Sequence, residues 1–442
     1  MIGTGYVGLV SGTCLAEMGL HVTCVDIDAE KIRKLSEESI IPIYEPGLGD
    51  VVKKNQALGR LTFTTDLSTC VPNSDAVFIA VGTPQDEDGS ADMQYVLQAA
   101  EDIAKHLNGY TVIVNKSTVP VGTGKRVEEA VRKANPTAEF DITSNPEFLR
   151  EGSALGDFMN PDRIVVGCPN TRSAEVMRAI YKPQTDQGFT LFETNRESSE
   201  LIKYAANAFL AMKITFINEI AQLCDAAGAD VAQVSSGIGL DTRIGNKFLQ
   251  AGPGYGGSCF PKDTHALAYQ GQQYGTPQRL IEKTIDVNEA IKASIADRII
   301  AAAGGSVKGK KIAVLGLAFK ANTDDMRDAS ALTILPLLEK AGADVLAYDP
   351  EGHEQAVWRM PNLALAKTKD EALAGADLAV ILTEWAEFKD MDIVAVAKGL
   401  KSGLVFDARN LFNPQQMAEA GVNYVCLGRP KKALGIASEK VA

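Results

Sequence analysis

The residue of this chain best placed to do chemistry is Cys259, in the glycine-rich run GYGGSCFPKD at positions 254–263. Pro261 suits the first position of a helix that continues beyond it without a breaker. A thiol there faces unpaired backbone N–H groups and the positive end of the helix dipole, with Lys262 close by. These features favour the thiolate. The alternative is a buried structural cysteine under a tight turn, but the glycines, the cation and the carboxylate of Asp263 make Cys259 the candidate nucleophile.

Two further pairs have spacings suited to proton transfer or to the stabilisation of an oxyanion. Glu147 and Glu151 are four residues apart and would share one face if their segment were helical. The alternative for this pair is two solvated surface acids. Lys203 and Asn207 are also four apart, on an apolar-rich helical pattern, where they could point at a common oxygen. The alternative for Lys203 is a surface cation whose stem lies along the helix.

A second chemical signal lies at the N-terminus, where Gly3, Gly5 and Gly8 form GxGxxG ahead of a helical pattern. A strand predicted over residues 21–25 follows and ends at Asp26. Glycines in this context let a pyrophosphate approach the backbone at a helix N-terminus, and the acid accepts hydrogen bonds from ribose hydroxyls. A carboxylate there would repel a 2′-phosphate. The pattern therefore predicts NAD rather than NADP as the cofactor.

The opening strand of this unit is the exception to the pattern. Only Met1 and Ile2 precede the first glycine, too few for the first strand of a βαβ unit. Either a few N-terminal residues are missing or the first strand is unusually short. In both cases we expect lower stability and lower cofactor affinity.

Length and composition set the class of the protein. A chain of 442 residues exceeds one ordinary core, so two or three domains are expected. With 45% hydrophobic and 23% charged residues it reads as a globular protein, and no signal peptide or membrane-spanning run is visible. A net charge of −12 without a basic tract argues against nucleic acid as the main partner. It is compatible with an anionic small molecule as a ligand, because such a site needs only a few local cations.

The cysteines and histidines argue against disulfides and metals. Seven cysteines are scattered without a CxxC motif or a Cys/His cluster, and the four histidines are well separated. Neither a disulfide framework nor a metal site is expected, and the cytoplasm is the natural compartment. Acid–base work is expected to fall to carboxylates and lysines.

Alternating patterns predict two α/β halves around a helical middle. A long helix over residues 197–227 has apolar residues at steps of three and four, which suits a bridge between domains and an oligomer interface. A second α/β unit begins at Lys310, ends its second strand at Asp349 and lacks GxGxxG. Predicted elements are strands at 75–82, 111–115, 164–167, 311–315 and 343–348, and a helix near 330–340.

The expected fold is therefore α/β, with two Rossmann-like doubly wound domains joined by a helical middle region that contains the long central helix. We place the NAD-binding Rossmann-like domain at residues 1–194. The central helical domain, with the long helix and a dimer interface, is placed at 195–296. The second Rossmann-like domain is placed at 297–442.

Phrases in order along nearly the whole chain resemble the UDP-glucose 6-dehydrogenases, within the wider family of nucleotide-sugar dehydrogenases. Phe260 resembles the UDP-glucose branch, since the GDP-mannose branch tends to have leucine there. The phrases are GTGYVGL from Gly3, PIYEPGL from Pro42, VGTP from Val81, STVPVGT from Ser117, NPEFLREGSA from Asn145, PDRIVVG from Pro161, ELIKYAANAFLAMKITFINE from Glu200, RIGNKFLQAGPGYGGSCFPKD from Arg243 and GLAFKANTDDMRDAS from Gly316.

The resemblance implies an enzyme that oxidises UDP-glucose to UDP-glucuronate with two NAD⁺. An aldehyde has no second hydride-donating alkoxide until a nucleophile adds to it, so a four-electron oxidation needs one. Cys259 would form a thiohemiacetal and then a thioester, which water hydrolyses. The alternatives are a GDP-mannose or other nucleotide-sugar 6-dehydrogenase, a two-electron hydroxyacid dehydrogenase, and a non-catalytic dinucleotide-binding protein.

The resemblance also implies catalytic roles. Glu147 activates the hydrolytic water, with Glu151 and Thr118 in support. Lys203 and Asn207 steady the alkoxide and the thioester oxyanion. Asp263 holds a water or base near the C6 oxygen, and the first proton acceptor stays open between Asp263, Lys203 and a bound water.

Binding residues are implied in the same way, and at least a homodimer is expected. The implied cofactor contacts are Gly3, Gly5, Tyr6, Val7, Gly8, Asp26, Lys31, Thr83, Thr118, Glu151, Lys262 and Arg327. The implied substrate contacts, in part from the third domain, are Glu147, Phe148, Leu149, Lys203, Asn207, Arg243, Phe248, Leu249, Tyr255, Gly256, Lys320 and Arg409. Arginine suits the diphosphate of UDP because it can bind phosphate in a bidentate manner. For any one of these cations the alternative is an ordinary surface residue.

Overall fold

The structure is a computed structural model that describes residues 1–38, 40–86 and 88–429. The chain forms two compact units. The first is Met1–Ala206 with His265–Gln278, and the second is Asn207–Thr264 with Arg279–Ala442. The predicted three-part division stays a prediction, and residues 430–442 of its last domain lie outside the described residues.

Helices and strands alternate through most of both units, as predicted. The helices are α1 (Tyr6–Glu17), α2 (Ala29–Arg33), α3 (Leu48–Ala57), α4 (Gln94–Ala104), α5 (Thr123–Ala134), α6 (Ala154–Met159), α7 (Thr171–Thr185), α8 (Arg196–Ala227), α9 (Val231–Gly239), α10 (Phe260–Gln273), α11 (Arg279–Ala302), α12 (Ala331–Lys340), α13 (His353–Arg359), α14 (Lys369–Leu373), α15 (Ala386–Lys389), α16 (Ile393–Gly399) and α17 (Pro414–Glu419), with a π-helical turn at Lys34–Glu38 and 3₁₀ turns at Leu67–Thr69 and Val71–Asn73. The strands are β1 (Val22–Val25), β2 (Leu61–Thr64), β3 (Ala76–Ile79), β4 (Tyr110–Asn115), β5 (Glu139–Ser144), β6 (Ile164–Gly167), β7 (Leu191–Thr194), β8 (Lys311–Leu315), β9 (Asp344–Tyr348), β10 (Ala364–Leu365), β11 (Leu378–Ile381), β12 (Leu404–Asp407) and β13 (Asn423–Cys426).

The short N-terminal segment still fills the position of a first strand. Ile2 forms parallel bridges to Val25 on one side and Ile79 on the other. Its N–H donates to the carbonyl of Phe78 at 2.7 Å, and its carbonyl accepts from the N–H of Ala80 at 2.8 Å. This single bridging residue joins β1–β2 to β3–β4–β5–β6–β7.

Side chains of the first sheet alternate between two helical layers, as a doubly wound sheet requires. On β4, Val112 and Val114 face the cluster that includes α1, α3, α6 and α7. Ile113, between them, faces the cluster formed with α4 and α5. The sheet differs from the predicted parallel arrangement at one junction, because Ser144 on β5 pairs antiparallel with Gly167 on β6.

Helix α8 confirms the predicted long helix to within one residue. Its buried face includes Tyr204, Ala208, Ala211 and Cys224. The apolar steps noted in the sequence lie on another face of the helix, where half-exposed Met212 and Ile220 accompany exposed residues. The exposed ones are Ala205, Phe209, Phe216 and Leu223. That apolar stripe is not the face that packs into its own chain.

The second unit contains a six-stranded parallel sheet in the order β10–β9–β8–β11–β12–β13. Numbered along the chain, this is the 3-2-1-4-5-6 order of the Rossmann fold. Ala313 and Leu315 of β8 belong to one core cluster, and Ile312 and Val314 belong to the other. The predicted second Rossmann-like half is confirmed.

The two sheets have the same type of turn after their first strand position, which is Ile2 in the first sheet and β8 in the second. Gly3 has φ +95° and Gly316 has φ +102°, a left-handed conformation that favours glycine. The carboxylate that ends the second strand ties down the turn that follows. Oδ2 of Asp26 accepts the N–H of Thr4 at 2.9 Å, and Oδ2 of Asp349 accepts the N–H of Leu317 at 2.7 Å.

No helix in the described ranges is both long enough and apolar enough to cross a lipid bilayer.

Candidate functional site

The glycine turn of the first unit has the shape needed to receive a pyrophosphate. A Cβ atom on Gly3 would lie 2.7 Å from the carbonyl oxygen of Ala80, and one on Gly8 would lie 2.0 Å from that of Gly3. A Cβ atom on Gly5 would meet nothing within 4 Å. Gly5 is exposed and caps α1 without a side-chain hydrogen bond. The first and third glycines are thus required for packing, while the second leaves open space at a helix N-terminus.

Asp26 lies beside this turn and collects several donors. Besides the N–H of Thr4, its Oδ2 accepts the Thr4 hydroxyl at 2.6 Å and Nζ of Lys31 at 3.1 Å. Its Oδ1 accepts the N–H of Asp28 at 3.1 Å. Burial acts to raise the pKa of Asp26, but the hydrogen bonds from Thr4, Asp28 and Lys31 outweigh it and hold the pKa below its usual value. Asp26 is therefore ionised at neutral pH, which fits NAD better than NADP.

Thr83 and Thr118 follow the carboxyl ends of the neighbouring strands β3 and β4. The Thr83 hydroxyl donates to the carbonyl oxygen of Thr118 at 3.1 Å, and the hydroxyl of Ser117 donates to the carbonyl of Val81 at 2.6 Å. Ligands of open parallel sheets bind at the carboxyl ends of strands. The structure therefore brings these threonines to the same edge of the sheet as the glycine turn.

Glu147 does not lie on a helix, so the condition under which it would share a helical face with Glu151 is not met. Residues 145–150 have no regular secondary structure. Pro146 disfavours a helical conformation of the residue before it, and Oε2 of Glu147 accepts the N–H of Leu149 at 2.5 Å. Glu147 is 6% exposed, which also excludes the solvated-acid alternative for this residue. Glu151 lies in the following turn and is half-buried.

Glu147 is neutralised by a buried lysine. Its Oε1 lies 3.0 Å from Nζ of Lys203 on α8, so Lys203 is not the surface cation of the alternative reading. Burial acts to raise the pKa of Glu147, but Lys203, the Leu149 N–H and Lys116 together hold it below the usual range. The ring of Phe148 lies 5.3 Å from Nζ of Lys203 and 3.7 Å from the guanidinium of Arg163.

Lys116 is a second buried cation near Glu147, and the sequence analysis missed it. Its Nζ donates to Oδ1 of Asn145 at 3.1 Å and lies 3.5 Å from the hydroxyl of Tyr181. Burial lowers the pKa of Lys116 to about 8, and the charge of Glu147 opposes this shift. A lysine directly after an apolar strand such as β4 is typical of a solvated strand end. The only signal in the sequence was its place between that strand and the STVPVGT phrase.

In the second unit, Cys259 is the last residue of the turn before α10, and Pro261 is the second rather than the first residue of that helix. Cys259 is half-buried, and its Sγ lies 3.4 Å from the hydroxyl of Ser258. Gly256 and Gly257 are required by close packing. A Cβ atom on Gly256 would lie 2.3 Å from the carbonyl oxygen of Asp328, and one on Gly257 would lie 2.8 Å from the Phe319 ring.

Asp263 joins the cysteine turn to α8 within the second unit. It is 1% exposed, with Oδ1 2.5 Å from Nζ of Lys262 and Oδ2 accepting the amide of Asn207 at 2.6 Å. Its N–H donates to the carbonyl oxygen of Cys259 at 2.9 Å. Lys203 and Asn207 therefore have different carboxylate partners in this structure, Glu147 and Asp263.

The predicted substrate contacts before Cys259 divide into buried and exposed residues. Leu249, Tyr255 and Gly256 are buried. The half-buried ring of Phe248 lies 6.1 Å from that of Phe260, and its φ of +64° is rare for a bulky residue and marks local strain. Arg243 is separate, with a side chain 87% exposed and paired with Asp241.

Three further predicted cations lie in the second α/β half. Arg409 donates to the carbonyl oxygens of Leu382 and Phe319, each at 2.7 Å, close to the carboxyl ends of the central strands β8 and β11. Lys320 follows Phe319, with Nζ 5.3 Å from that ring. The Arg327 guanidinium is bound to Asp325, while its carbonyl accepts the N–H of Gly257 at 2.7 Å.

Comparisons with known proteins match successive parts of the chain to one family. Three models of the UDP-glucose/GDP-mannose dehydrogenase family match: the NAD binding domain at residues 1–185, the central domain at 197–290 and the UDP binding domain at 313–414. The UDP-glucose 6-dehydrogenase of Rhizobium meliloti (strain 1021) is 54% identical over 433 residues, which cover 97% of this chain and 99% of that protein. The chain belongs to the UDP-glucose/GDP-mannose dehydrogenase family.

Other members of the family support this assignment. The UDP-glucose 6-dehydrogenase TuaD of Bacillus subtilis (strain 168) is 51% identical over 97% of this chain and 93% of that protein. The structure of a UDP-glucose dehydrogenase from Pyrobaculum islandicum superposes with a TM-score of 0.88 at 35% identity, over 96% of this chain and 95% of that one. That of a UDP-D-ManNAc dehydrogenase from Pyrococcus horikoshii gives 0.86 at 25% identity, over 98% and 99%.

Family membership establishes the NAD cofactor and confirms the predicted fold class. The residues of this chain fit NAD, since Gly5 leaves room for a pyrophosphate at the start of α1 and Asp26 is an ionised acceptor for ribose hydroxyls. Tyr6 and Val7 form the first turn of that helix. The roles of individual residues stay predictions.

Proposed function

We propose that this chain is a UDP-glucose 6-dehydrogenase, which oxidises the C6 alcohol of UDP-glucose to the carboxylate of UDP-glucuronate. The observation that carries the proposal is the 54% identity, over nearly the whole of both chains, with the UDP-glucose 6-dehydrogenase of Rhizobium meliloti. The match to a UDP-D-ManNAc dehydrogenase at 25% identity favours that substrate much less. NAD⁺, when bound, supplies the acceptor for each of the two hydrides.

The first oxidation removes the proton of the C6 hydroxyl and a hydride from C6 itself, and gives an aldehyde. Asp263 and Lys203 are both buried and each suited to assist, since a carboxylate accepts a proton and a lysine does so in its neutral amine form. The acceptor of the proton stays open between Asp263, Lys203 and a bound water. The amide of Asn207, oriented by its hydrogen bond to Asp263, is suited to stabilise an alkoxide at the reacting oxygen.

Cys259 is the nucleophile in this proposal. Its thiolate adds to the aldehyde carbon, and the new C–S bond gives a thiohemiacetal with a hydrogen still on C6. Loss of that hydrogen as the second hydride gives a thioester. Half-burial at the start of α10 supports the role, since the side chain remains partly accessible beside the positive end of a helix.

Hydrolysis completes the reaction, and Glu147 is the proposed general base. A water oxygen attacks the thioester carbon, the water gives one proton to the carboxylate of Glu147, and the C–S bond breaks to return the thiolate of Cys259. The depressed pKa of Glu147 keeps it ionised and able to accept a proton. We assign supporting positions to Glu151 and Thr118.

The domain limits, compartment and assembly complete the proposal. NAD binding is assigned to 1–194, with a further cofactor contact from Arg327. The central helical domain is assigned to 195–296, and UDP-sugar binding, through Arg409 and Lys320, to 297–442. The enzyme is proposed to act in the cytoplasm as at least a homodimer. The exposed apolar stripe of α8 supports the dimer, since continuous exposed apolar surface often marks a partner site.

The deciding experiment measures NADH released per UDP-glucose consumed, with limiting sugar and excess NAD⁺. Two NADH per sugar are expected. One would indicate an ordinary alcohol dehydrogenase that releases aldehyde. None, with NAD binding intact, would direct the search to GDP-mannose and N-acetylated UDP-sugars. The control is Cys259→Ala, which should bind NAD normally but form no acid; undiminished UDP-glucuronate from that variant would overturn the covalent route.

A further inference from the structure

Glu45 belongs to the sequence PIYEPGL, and no residue of that sequence has a role in the reaction proposed above. It lies in the loop before α3 and is 7% exposed. Its carboxylate receives three donors from two distant parts of the first unit. Oε2 accepts the hydroxyl of Tyr6 and the N–H of Gly152, the latter at 2.7 Å, and Oε1 accepts the N–H of Ala154 at 2.8 Å.

These donors belong to the two segments of the first unit that we assign to cofactor binding and to hydrolysis. Tyr6 is the first residue of α1, directly after the glycine turn. Gly152 and Ala154 end the loop that carries Glu147. Burial and the hydrogen bond to Glu45 raise the pKa of Tyr6, so it remains a neutral hydroxyl donor at neutral pH.

The other end of the Glu147 loop is fixed separately. The side-chain amide of Asn145 donates to the carbonyl oxygen of Val165 at 2.7 Å, and its backbone N–H donates to that of Asn115 at 2.9 Å. The loop is therefore held at Asn145 by the sheet and at Gly152 and Ala154 by Glu45. Glu45 is one anchor of its second half, and the other is Asp157 on α6, whose Oδ2 accepts the N–H of Arg150 at 2.8 Å.

A helix cap alone would not need this arrangement. Capping α6 requires one acceptor for the N–H of Ala154, which Oε1 provides. The second oxygen binds Tyr6 and Gly152 together, and the hydroxyl of Tyr6 also lies 3.2 Å from the N–H of Gly152. A buried carboxylate with three donors is rigid, because losing any of them leaves charge poorly compensated.

We propose that Glu45 is a positioning residue for the hydrolytic step, holding the loop in which Glu147 activates water and tying that loop through Tyr6 to the nucleotide-binding helix. The inference rests on the proposed function of Glu147 and Cys259. Without the tie, both oxidations proceed and the thioester on Cys259 is hydrolysed slowly. A displacement of about 1 Å at a catalytic base can cost on the order of 100-fold in rate.

The test compares Glu45→Gln with Glu147→Gln at saturating NAD⁺ and UDP-glucose. Glutamine keeps the shape of Glu45 but can place an acceptor at only one of its two oxygen positions. Both variants are expected to release two NADH per active site in a rapid burst and then turn over slowly, about 10- to 100-fold below the parent. Mass spectrometry of the quenched enzyme should find UDP-glucuronyl thioester on Cys259 in both.

The matched control is Asp141→Asn, which weakens another tyrosine–carboxylate pair of the same unit, with Tyr110 at 2.6 Å. It should lose stability without accumulating thioester. Tyr6→Phe keeps two of the three donors of Glu45 and should show the same burst with a smaller decrease of the slow rate. Should Glu45→Gln fail to fold, Tyr6→Phe decides the matter alone.

Two results would overturn the proposal, and they are distinguishable. If Glu147→Gln accumulates thioester while Glu45→Gln and Tyr6→Phe do not, Glu45 has no part in positioning the hydrolytic base. If Glu147→Gln itself accumulates none, the assigned role of Glu147 fails, and the inference about Glu45 fails with it.

Discussion

Oε1 of Glu147 lies 3.0 Å from Nζ of Lys203, and the two side chains are only 5% and 4% exposed. Two charges removed from water in this way are stable only as a pair. The loop that carries the carboxylate and the helix that carries the lysine are thus joined by an ionic contact within the first unit.

Removing one member of this pair should cost more stability than removing both. Lys203→Met leaves the carboxylate of Glu147 buried without its closest cation, so the free energy of unfolding should fall by about 3–5 kcal/mol. The double variant Lys203→Met/Glu147→Gln should cost clearly less than the sum of the two single changes. Urea denaturation of the four proteins measures this; additive losses would show that the two charges do not stabilise each other.

Lys116 should make stability depend on pH in the alkaline range. Burial lowers the pKa of Lys116 from 10.5 to about 8. Between these values the unfolded chain holds a proton that the folded chain has lost, so the free energy of unfolding should rise with pH. Denaturation from pH 8 to 10.5 should therefore show wild type gaining stability relative to Lys116→Met. The exposed change Lys53→Met is the control, and parallel curves for wild type and Lys116→Met would contradict the prediction.

Gly257 should tolerate no side chain, for a reason that a second glycine can isolate. Gly257 has φ +82° and Gly109 has φ +80°, so alanine pays a similar backbone cost of about 1–2 kcal/mol at each. Only at Gly257 would the new Cβ atom meet the ring of Phe319, at 2.8 Å. Thermal or urea unfolding should show Gly257→Ala losing about 2–5 kcal/mol and Gly109→Ala only the backbone part. Equal losses would mean that packing against Phe319 is not what requires the glycine.

Asp26 should determine both affinity for NAD and selection against NADP. Asp26→Asn removes the negative charge that we expect to accept ribose hydroxyls and to repel a 2′-phosphate. A lost hydrogen bond to a charged group costs about 1.5–3 kcal/mol, so KM for NAD⁺ should rise at least about tenfold while the NAD-to-NADP preference shrinks. Asp28→Asn is the control, because asparagine caps α2 as well as aspartate does. An unchanged coenzyme preference in Asp26→Asn would disprove the role.

The exposed stripe of α8 should be an interface between copies of this chain. Phe216→Glu places a charge in the stripe between Phe209 and Leu223 and should shift the protein to monomers in sedimentation or light scattering. Leu58→Glu is the matched control, because Leu58 is as exposed as Phe209, at 56%, but lies outside α8. A wild-type monomer would count against the dimer, and an unchanged oligomer in Phe216→Glu would show that the α8 stripe is not its interface.

Much of the fold could be predicted because its strands are short apolar runs with clear ends. Ile164–Gly167 and Lys311–Leu315 have the predicted bounds. The antiparallel junction of β5 and β6 could not be predicted, because alternation of side chains is the same in either strand direction.

The candidate site was less predictable, since tertiary contacts determine it. A helix would put Glu147 and Glu151 on one face, but Pro146 and the contact of Glu147 with the Leu149 N–H exclude one. Lys116 was missed because a lysine at a strand end normally reaches solvent. Glu45 stood in a recognised phrase, but nothing in the sequence reveals which distant N–H groups its carboxylate binds.

Asp26 and Asp349 show that an acidic residue at the end of the second strand of such a sheet has a structural role that does not depend on a nucleotide. Asp349 ties down Leu317 in a turn that lacks GxGxxG, as Asp26 ties down Thr4. An acidic residue at this position is therefore weaker evidence for binding of the ribose than its place in the GxGxxG pattern implies. The chain contains an internal reference for this structural role. The loss of unfolding free energy in Asp349→Asn estimates how much Asp26 contributes to the fold, and only an effect of Asp26→Asn beyond that loss is due to the cofactor.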